Sequence, residues 1–415
     1  MNNLPGKKLL VIFLIALTLR VAWIATLNNT VDEWKEEGVK EAAWSIIEGR
    51  GYSMPRSVSI YPGSQPLYAW REPGFAFFLV PVFFLFGENY LVAKLLLALL
   101  GSLAVVLLYH LGRETFDSEK VGMAAALTAL FLPELIYWSG YLSPESLTVF
   151  ILLPPILFLT RSVKNPSFFN VFLTGILLGV AALTRAQTIL ITPFLLFSYI
   201  LVCRNKGRAL RSAVSMLLFF GLVLSPWVVR NYAIFHQPVI IPTVTGEVLY
   251  IANNPGALRE INEPTAFFHG EDLFLFKGKS ELEICRWYRK EALKFILNRP
   301  GDYLKLVGNR FIRFWRLYPH LGTGIEGSLY NIFHFWLSLL TSGVIIILAF
   351  FGAVFSLKEW RRTLILITLV LSFSTLTILG RAAIRYRLPI MPYVILFAVY
   401  AVHHLISRKE GVKDG

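Results

Sequence analysis

The chain has 415 residues, 55% of them hydrophobic and 16% charged, with a formal net charge of +14. Soluble domains are nearer a quarter charged, and several apolar runs here reach the ~18–20 residues that cross a bilayer, so a soluble protein is excluded. A transmembrane β-barrel is excluded too, because barrel strands alternate polar and apolar residues whereas these runs are continuous. The positive charge suits basic cytoplasmic loops better than nucleic acid, since Lys and Arg collect on the inner side of membrane proteins.

In chain order, Lys7 and Lys8 precede a first apolar run at 9–27. It lacks a small-residue cleavage site and is long enough to span, so it reads as an uncleaved helix. An acidic stretch follows, with Asp32, Glu33, Glu36 and Glu37 close behind the membrane surface. Carboxylates so near lipid are costly unless hydrated, paired or bound to a cation. The run at 73–86 is very apolar but only about fourteen residues long, nearer interfacial than spanning length. Further spans are predicted at 90–111, 121–138, 146–159, 169–183, 188–202, 213–229, 332–357, 364–379 and 388–406, giving about ten. Arg230 and Asn231 would cap the helix ending at 229.

If 73–86 does not cross, every short basic connection lies on one side, from Arg113/Lys120 to Arg408/Lys409. If it crosses, the positive-inside pattern fails at four later loops. It is therefore read as a juxtamembrane element, with both termini cytoplasmic and two large pieces outside, 28–72 and 231–331. The chain then divides into an N-terminal transmembrane module, 1–230, the large outer loop, 231–331, and C-terminal helices, 332–415. That outer loop opens strand-like, with Pro238-Val-Ile-Ile-Pro242, and turns helical from Glu281, with a second amphipathic helix at 304–315. The expected fold is an all-α polytopic membrane protein with outer juxtamembrane helices and a small mixed outer region. Cys203 and Cys285 fall on opposite sides of it, so no disulfide is expected.

Several short motifs run through the chain. They are Ala43-x5-Gly49-x-Gly51-Tyr52-Ser53, Arg71-Glu-Pro-Gly-Phe75, Ser143-Pro-Glu-Ser-Leu147 and Gly179-Val-Ala-Ala-Leu-Thr-Arg185. Pro226-Trp-Val-Val-Arg-Asn-Tyr232, Asn253-Asn-Pro-Gly256 and Arg385-Tyr-Arg-Leu-Pro-Ile-Met-Pro392 follow. Their order resembles the GT-C membrane glycosyltransferases, and within them the protein mannosyltransferase and aminoarabinose transferase superfamily. The resemblance implies transfer of a sugar from a polyprenyl-phosphate carrier to a glycan, lipid or protein acceptor at the outer face of a prokaryotic plasma (inner) membrane.

It also implies roles. An acid of the first outer loop would act as general base: Asp32, with Glu33 and Glu36 as alternatives, because the usual slot counted back from Gly49 falls near Lys35. Asp32 with Glu145 could hold a divalent cation, Mg or Mn. Glu145 has a simpler role open to it as well, behind Pro144 at a helix start. Arg71, Arg381, Arg385 and Arg387 run against the positive-inside trend, and guanidinium binds phosphate in a fork. Arg385 and Arg387 would share a face if their segment is extended, with Tyr386 on the other. Arg185 is open between a phosphate contact and a salt bridge. Two rival classes remain: a transporter or flippase of a lipid-linked sugar, and a non-catalytic subunit that binds one. The absence of an internal repeat speaks against the former. No Walker loop, dinucleotide glycine pattern or zinc spacing occurs.

Overall fold

The computed structural model describes residues 4–27, 38–55, 66–258, 276, 278–319 and 331–413. Eighteen α-helices are present among them: α1 Leu4–Ala25, α2 Val39–Ile47, α3 Gly74–Phe86, α4 Tyr90–Phe116, α5 Glu119–Phe131 and α6 Pro133–Ser139. Then come α7 Pro144–Ile151, α8 Leu153–Lys164, α9 Phe168–Thr184, α10 Gln187–Val202, α11 Lys206–Phe235 and α12 Val244–Ala252. The last six are α13 Glu281–Asn298, α14 Pro300–Phe314, α15 Ile332–Ser338, α16 Val344–Ser356, α17 Trp360–Leu379 and α18 Met391–Lys413.

Local sequence accounts for most boundaries. Side chains of Asn89, Ser118, Ser143, Ser167 and Asn205 accept the first free N–H groups of α4, α5, α7, α9 and α11. Ser280 and Glu283 close a capping box on α13. The expected span at 121–138 is instead two helices, α5 and α6, bent by 55°. Pro133 causes the break: it lacks an N–H and pushes Leu132 out of the helical region, to ψ 114°.

Every predicted apolar run falls on helix, but the count of ten does not follow. Six helices among the described residues are long and apolar enough to cross a membrane, or seven if α5 and α6 form one span. At 17 and 16 residues, α9 and α10 are short for a span. The eighth and ninth runs join in one stretch, Ile332–Leu379, through a π turn at Leu339–Gly343 and a 3-10 turn at Leu357–Glu359.

Three further readings change. The expected mixed region has no strand among the described residues, which hold only an isolated Met54–Leu67 bridge. Residues 244–252 are helical; Pro238 and Pro242 lack ladder donors, and the described residues offer no neighbouring strand to pair with. The helix expected to stop at 229 continues to Phe235. Arg230 and Asn231 are therefore not caps but ties: Arg230 donates to the Tyr68 and Tyr52 carbonyls, and Asn231 to the Val239 carbonyl at 2.8 Å.

The helices pack in a few close pairs, α16 on α18, α9 on α11, α4 on α5, α1 on α4 and α10 on α17. A second apolar core joins the first-loop segment to them, with Tyr52, Met54, Leu67, Trp70, Phe75, Phe83 and Trp227 buried together. Lipid adds no hydrophobic drive between helices, so close backbone approach through small residues does that work. The tightest case is Gly352 of α16, where an added Cβ would lie 1.8 Å from the Phe397 carbonyl oxygen of α18. Gly352→Val should therefore force the pair apart and destabilise the protein by at least ~1–3 kcal/mol, the cost of overpacking. A detergent-solubilised variant that melts at the wild-type temperature would contradict this packing.

Candidate functional site

A cavity of about 530 Å³ opens among α7, α9–α10, α12 and the segment after α17. Six residues singled out in the sequence line it: Arg71, Glu145, Arg185, Arg381, Arg385 and Tyr386. They come from four distant stretches, so the fold gathers them. Val39, close behind the acidic stretch, also lines it. Asp32, Glu33 and Glu36 themselves lie outside the described residues.

Glu145 is 6% exposed in the first turn of α7, where Ser143 caps and Pro144 starts the helix. Its Oε1 receives the Arg185 guanidinium at 3.1 Å. A buried carboxylate needs such a partner. Arg185 sits in the turn between α9 and α10 and also donates from Nε to Gln187 Oε1 at 3.2 Å. Gln187 in turn donates to Thr377 of α17 at 3.2 Å. The Arg185 guanidinium lies 5.2 Å from the Tyr386 ring centre, and that of Arg385 lies 5.1 Å from it. Tyr386 is thus held between two cations, with its hydroxyl 3.3 Å from Arg385.

Arg71 is set by a segment fastened on several sides. Its carbonyl accepts from the Tyr52 hydroxyl at 3.0 Å. The preceding amides of Tyr68 and Ala69 donate to the buried Glu281 carboxylate at 2.7 and 3.1 Å. The carbonyls of Ala69 and Trp70 accept from Thr243 and Val244. The guanidinium stands 4.8 Å from the Trp70 ring centre. Burial pulls its pKa down from the ordinary arginine value, and the neighbouring Glu72 is the first of the charges that oppose this. Gly74, two residues beyond Glu72, has room for no side chain: a Cβ there would meet Thr184 Oγ1 at 2.5 Å. That contact brings the Arg71 motif against the end of α9, where Glu72 accepts from the Ala186 amide at 3.2 Å.

Arg381 follows the end of α17, and Arg310 of α14 holds that end. Arg310 is 6% exposed. It donates to the carbonyls of Ile378, Leu379 and Gly380, and to Ala252 and Asn253. Burial pushes its pKa down to about 10.

Arg387 does not join the cavity. Residues 384–390 form a 3-10 helix rather than an extended strand, so residues two apart no longer share a face. Its guanidinium is buried on the carbonyls of Phe314 and Arg316, at 3.1 and 2.8 Å, and 3.5 Å from Glu134. Glu72, Gln187, Arg289 and Tyr303 line the cavity without having been singled out. Glu72 had a visible signal, standing inside the Arg71–Phe75 motif. The others depend on helix packing that local pattern does not carry. No group of three His, Cys, Asp or Glu able to hold a metal occurs among the described residues.

Residues 65–229 match the family described as dolichyl-phosphate-mannose-protein mannosyltransferase. A search of curated proteins finds no match. Among solved structures, the chain is similar to the archaeal oligosaccharyltransferase AglB from Archaeoglobus fulgidus in complex with an inhibitory peptide and a dolichol-phosphate. The TM-score is 0.59 at 14% identity, over 100% of this chain and 52% of that one. The chain has the GT-C fold. The same Archaeoglobus fulgidus oligosaccharyltransferase in complex with Zn and sulfate gives a TM-score of 0.57 at 14% identity, over 96% of this chain and 49% of that one. The chain thus spans about half the length of those proteins. ArnT from Cupriavidus metallidurans bound to undecaprenyl phosphate matches over 96% of this chain and 76% of that one, at 16% identity and a TM-score of 0.40.

The Glu145–Arg185 pair gives a direct test of the site's architecture. Glu145→Ala should cost about 3–5 kcal/mol by leaving a guanidinium buried without its carboxylate. Adding Arg185→Met should recover a large part of that loss. Thermal unfolding of the two single variants and the double variant measures the coupling, and strictly additive losses would show that the pair is not the linkage.

Proposed function

We propose that the protein is an integral membrane glycosyltransferase that moves a sugar from a polyprenyl-phosphate carrier to a glycan, lipid or protein acceptor at the outer face of a prokaryotic plasma membrane. One observation carries the reading. Arg71, Arg185, Arg381 and Arg385 converge with Glu72, Glu145 and Tyr386 on a single cavity, beside the helix that follows the acidic stretch. The dolichol-phosphate in the AglB complex, an isoprenoid phosphate, supports the donor class.

In this reading the arginines take over the water shell of the donor phosphate and stabilise the charge that grows on it as it leaves. The acceptor oxygen attacks the anomeric carbon, the bond from that carbon to the phosphate oxygen breaks, and polyprenyl phosphate departs. Asp32 takes the acceptor proton, with Glu33 or Glu36 as the alternative base. Glu145 holds Arg185 against Tyr386 and so shapes the phosphate side of the cavity. A divalent cation would be held by Asp32 with Glu145 and by oxygens of the phosphate and water, and would add electrostatic stabilisation of the leaving phosphate.

The sidedness rests on charge. Arg71, Arg381 and Arg385 border the candidate cavity, whereas Arg204, Arg208, Arg361 and Arg362 border a cavity at the other ends of α10 and α17. The second set is the positive-inside set. Both native cysteines are buried and suit labelling poorly. Cysteines placed at the exposed positions Lys290 and Arg208 suit it better. In intact cells an impermeant maleimide should modify Lys290→Cys and spare Arg208→Cys; the reverse result inverts the topology.

The reaction is tested with purified protein and a panel of radiolabelled polyprenyl-phosphate sugars. The wild type should consume at least one of them. Asp32→Asn should lower turnover at least ~10²-fold with donor binding retained. Arg71→Ala and Arg385→Ala should each lose roughly 1.5–3 kcal/mol in kcat/KM for the donor, the value of a charged hydrogen bond. Lysine should rescue them only in part, since it lacks the fork. Wild-type kinetics in both alanine variants would remove the phosphate site, and activity with soluble nucleotide sugars alone would remove the donor class.

A further inference from the structure

A second cavity, of about 600 Å³, lies at the far end of the helices from the candidate site. The separation follows from chain geometry. Gln187 of the first cavity and Val202 of the second stand at the two ends of the 16-residue α10, about 22 Å apart at ~1.5 Å per residue. Likewise Arg361 and Arg362 begin α17, whereas Thr377 and Leu379 end it.

Five cations line this second cavity: Lys164, Arg204, Arg208, Arg361 and Arg362. Two of them are matched by acids. Lys164 meets Glu114 at 3.2 Å and Asp117 at 3.5 Å, and Arg362 meets Glu359 at 3.1 Å and Asp117 at 3.8 Å. Arg204, Arg208 and Arg361 have no carboxylate within 4.0 Å among the described residues. They come from the α10–α11 connection, the first turn of α11 and the first turn of α17, so the fold brings three such arginines around one space. The floor contributes a second, independent sign. Thr115 is 2% exposed and lines the cavity, and its hydroxyl is buried without a hydrogen-bond partner among the described residues. A buried hydroxyl in that condition calls for a polar occupant, because leaving it unmet costs free energy. The remaining wall is mixed: Glu114, already paired with Lys164, and the polar Thr160, Ser162 and Asn205 stand beside Val163, Val202 and Ala209. A cavity of this size, with several guanidinium groups and hydroxyl donors on a partly apolar wall, suits a phosphate carried on a larger body.

We propose that this second cavity binds a phosphate group at the membrane end opposite the candidate site. The fork geometry of guanidinium favours phosphate over a simple halide. The group can reach the cavity on the headgroup of an anionic phospholipid or on a soluble phosphate, and the two sources are separable.

The test uses the full-length protein in two arms. In lipid nanodiscs, native mass spectrometry compares retention of phosphatidylglycerol with that of phosphatidylcholine. In detergent without added lipid, calorimetry follows binding of inorganic pyrophosphate. Wild type is expected to prefer phosphatidylglycerol at least tenfold or to bind pyrophosphate. Preference in the first arm alone identifies a headgroup, and binding in the second identifies a soluble source. The double variant Arg204→Ala/Arg208→Ala, whose side chains are exposed, should lose the effect tenfold or more, and Thr115→Val should weaken it. Lys120→Ala and Arg211→Ala, basic residues of the same membrane end that do not line the cavity, serve as controls and should retain it. Two outcomes overturn the proposal. One is a wild type that neither discriminates between the lipids nor binds pyrophosphate. The other is an equal loss in the control variants, which would mean that diffuse positive charge, and not this cavity, attracts the anion.

Discussion

The ion pair between Glu145 and Arg185 holds together the part of the molecule on which the candidate site depends. Its members sit at the start of α7 and in the turn between α9 and α10, so a 3.1 Å contact fixes how those helices meet. From Arg185 the linkage continues through Gln187 to Thr377 of α17, and across the Tyr386 ring to Arg385. Charges this deep are tolerated only in such company. The network therefore does two things: it neutralises a buried carboxylate, and it fixes the spacing of the cations around one cavity.

A second clamp works at the other rim. The last carbonyls of a helix have no partners of their own and carry partial negative charge. Arg310 meets them at the end of α17 and reaches Ala252 and Asn253 from the same guanidinium. An amphipathic helix, a spanning helix and the end of α12 are thus joined through one side chain. Arg381 follows directly from that junction. The first-loop motif is held comparably, by Glu281 on the amides before Trp70 and by Arg230 on the carbonyls of Tyr52 and Tyr68.

Much of this was legible in the sequence because it is local. Apolar runs mark helices, and Asn89, Ser118, Ser143, Ser167 and Asn205 mark their starts. Pro133 inside an apolar run was a signal for the bend, but hydrophobic length alone hid it. The strand-like look of Pro238–Pro242 misled because β-branched residues specify a strand only when a neighbouring strand exists. The site divides the same way. Arg71, Glu145, Arg381, Arg385 and Tyr386 stood out as charges or rings near the ends of apolar runs, and all five line one cavity. Arg289 and Tyr303 did not, because only the packing of α13 and α14 brings them there. Arg387 stood out equally and lies elsewhere, since backbone geometry and not residue type decided where it points.

That last contrast sets different constraints on two nearly adjacent arginines. Arg385 lines the cavity and reaches the Tyr386 ring and hydroxyl, so a change there acts on the cavity directly. Arg387 is enclosed by the Phe314 and Arg316 carbonyls and by Glu134, itself bonded to Ser342 in the π turn. A substitution at the first position alters what the cavity offers its occupant. The second is bound to its neighbours and can change only if Glu134 and the π turn change with it. The short run Arg385-Tyr386-Arg387 thus joins a position that faces the cavity to one locked into helix packing. Damage at the first would show in what the cavity binds, and damage at the second in whether the helices stay together.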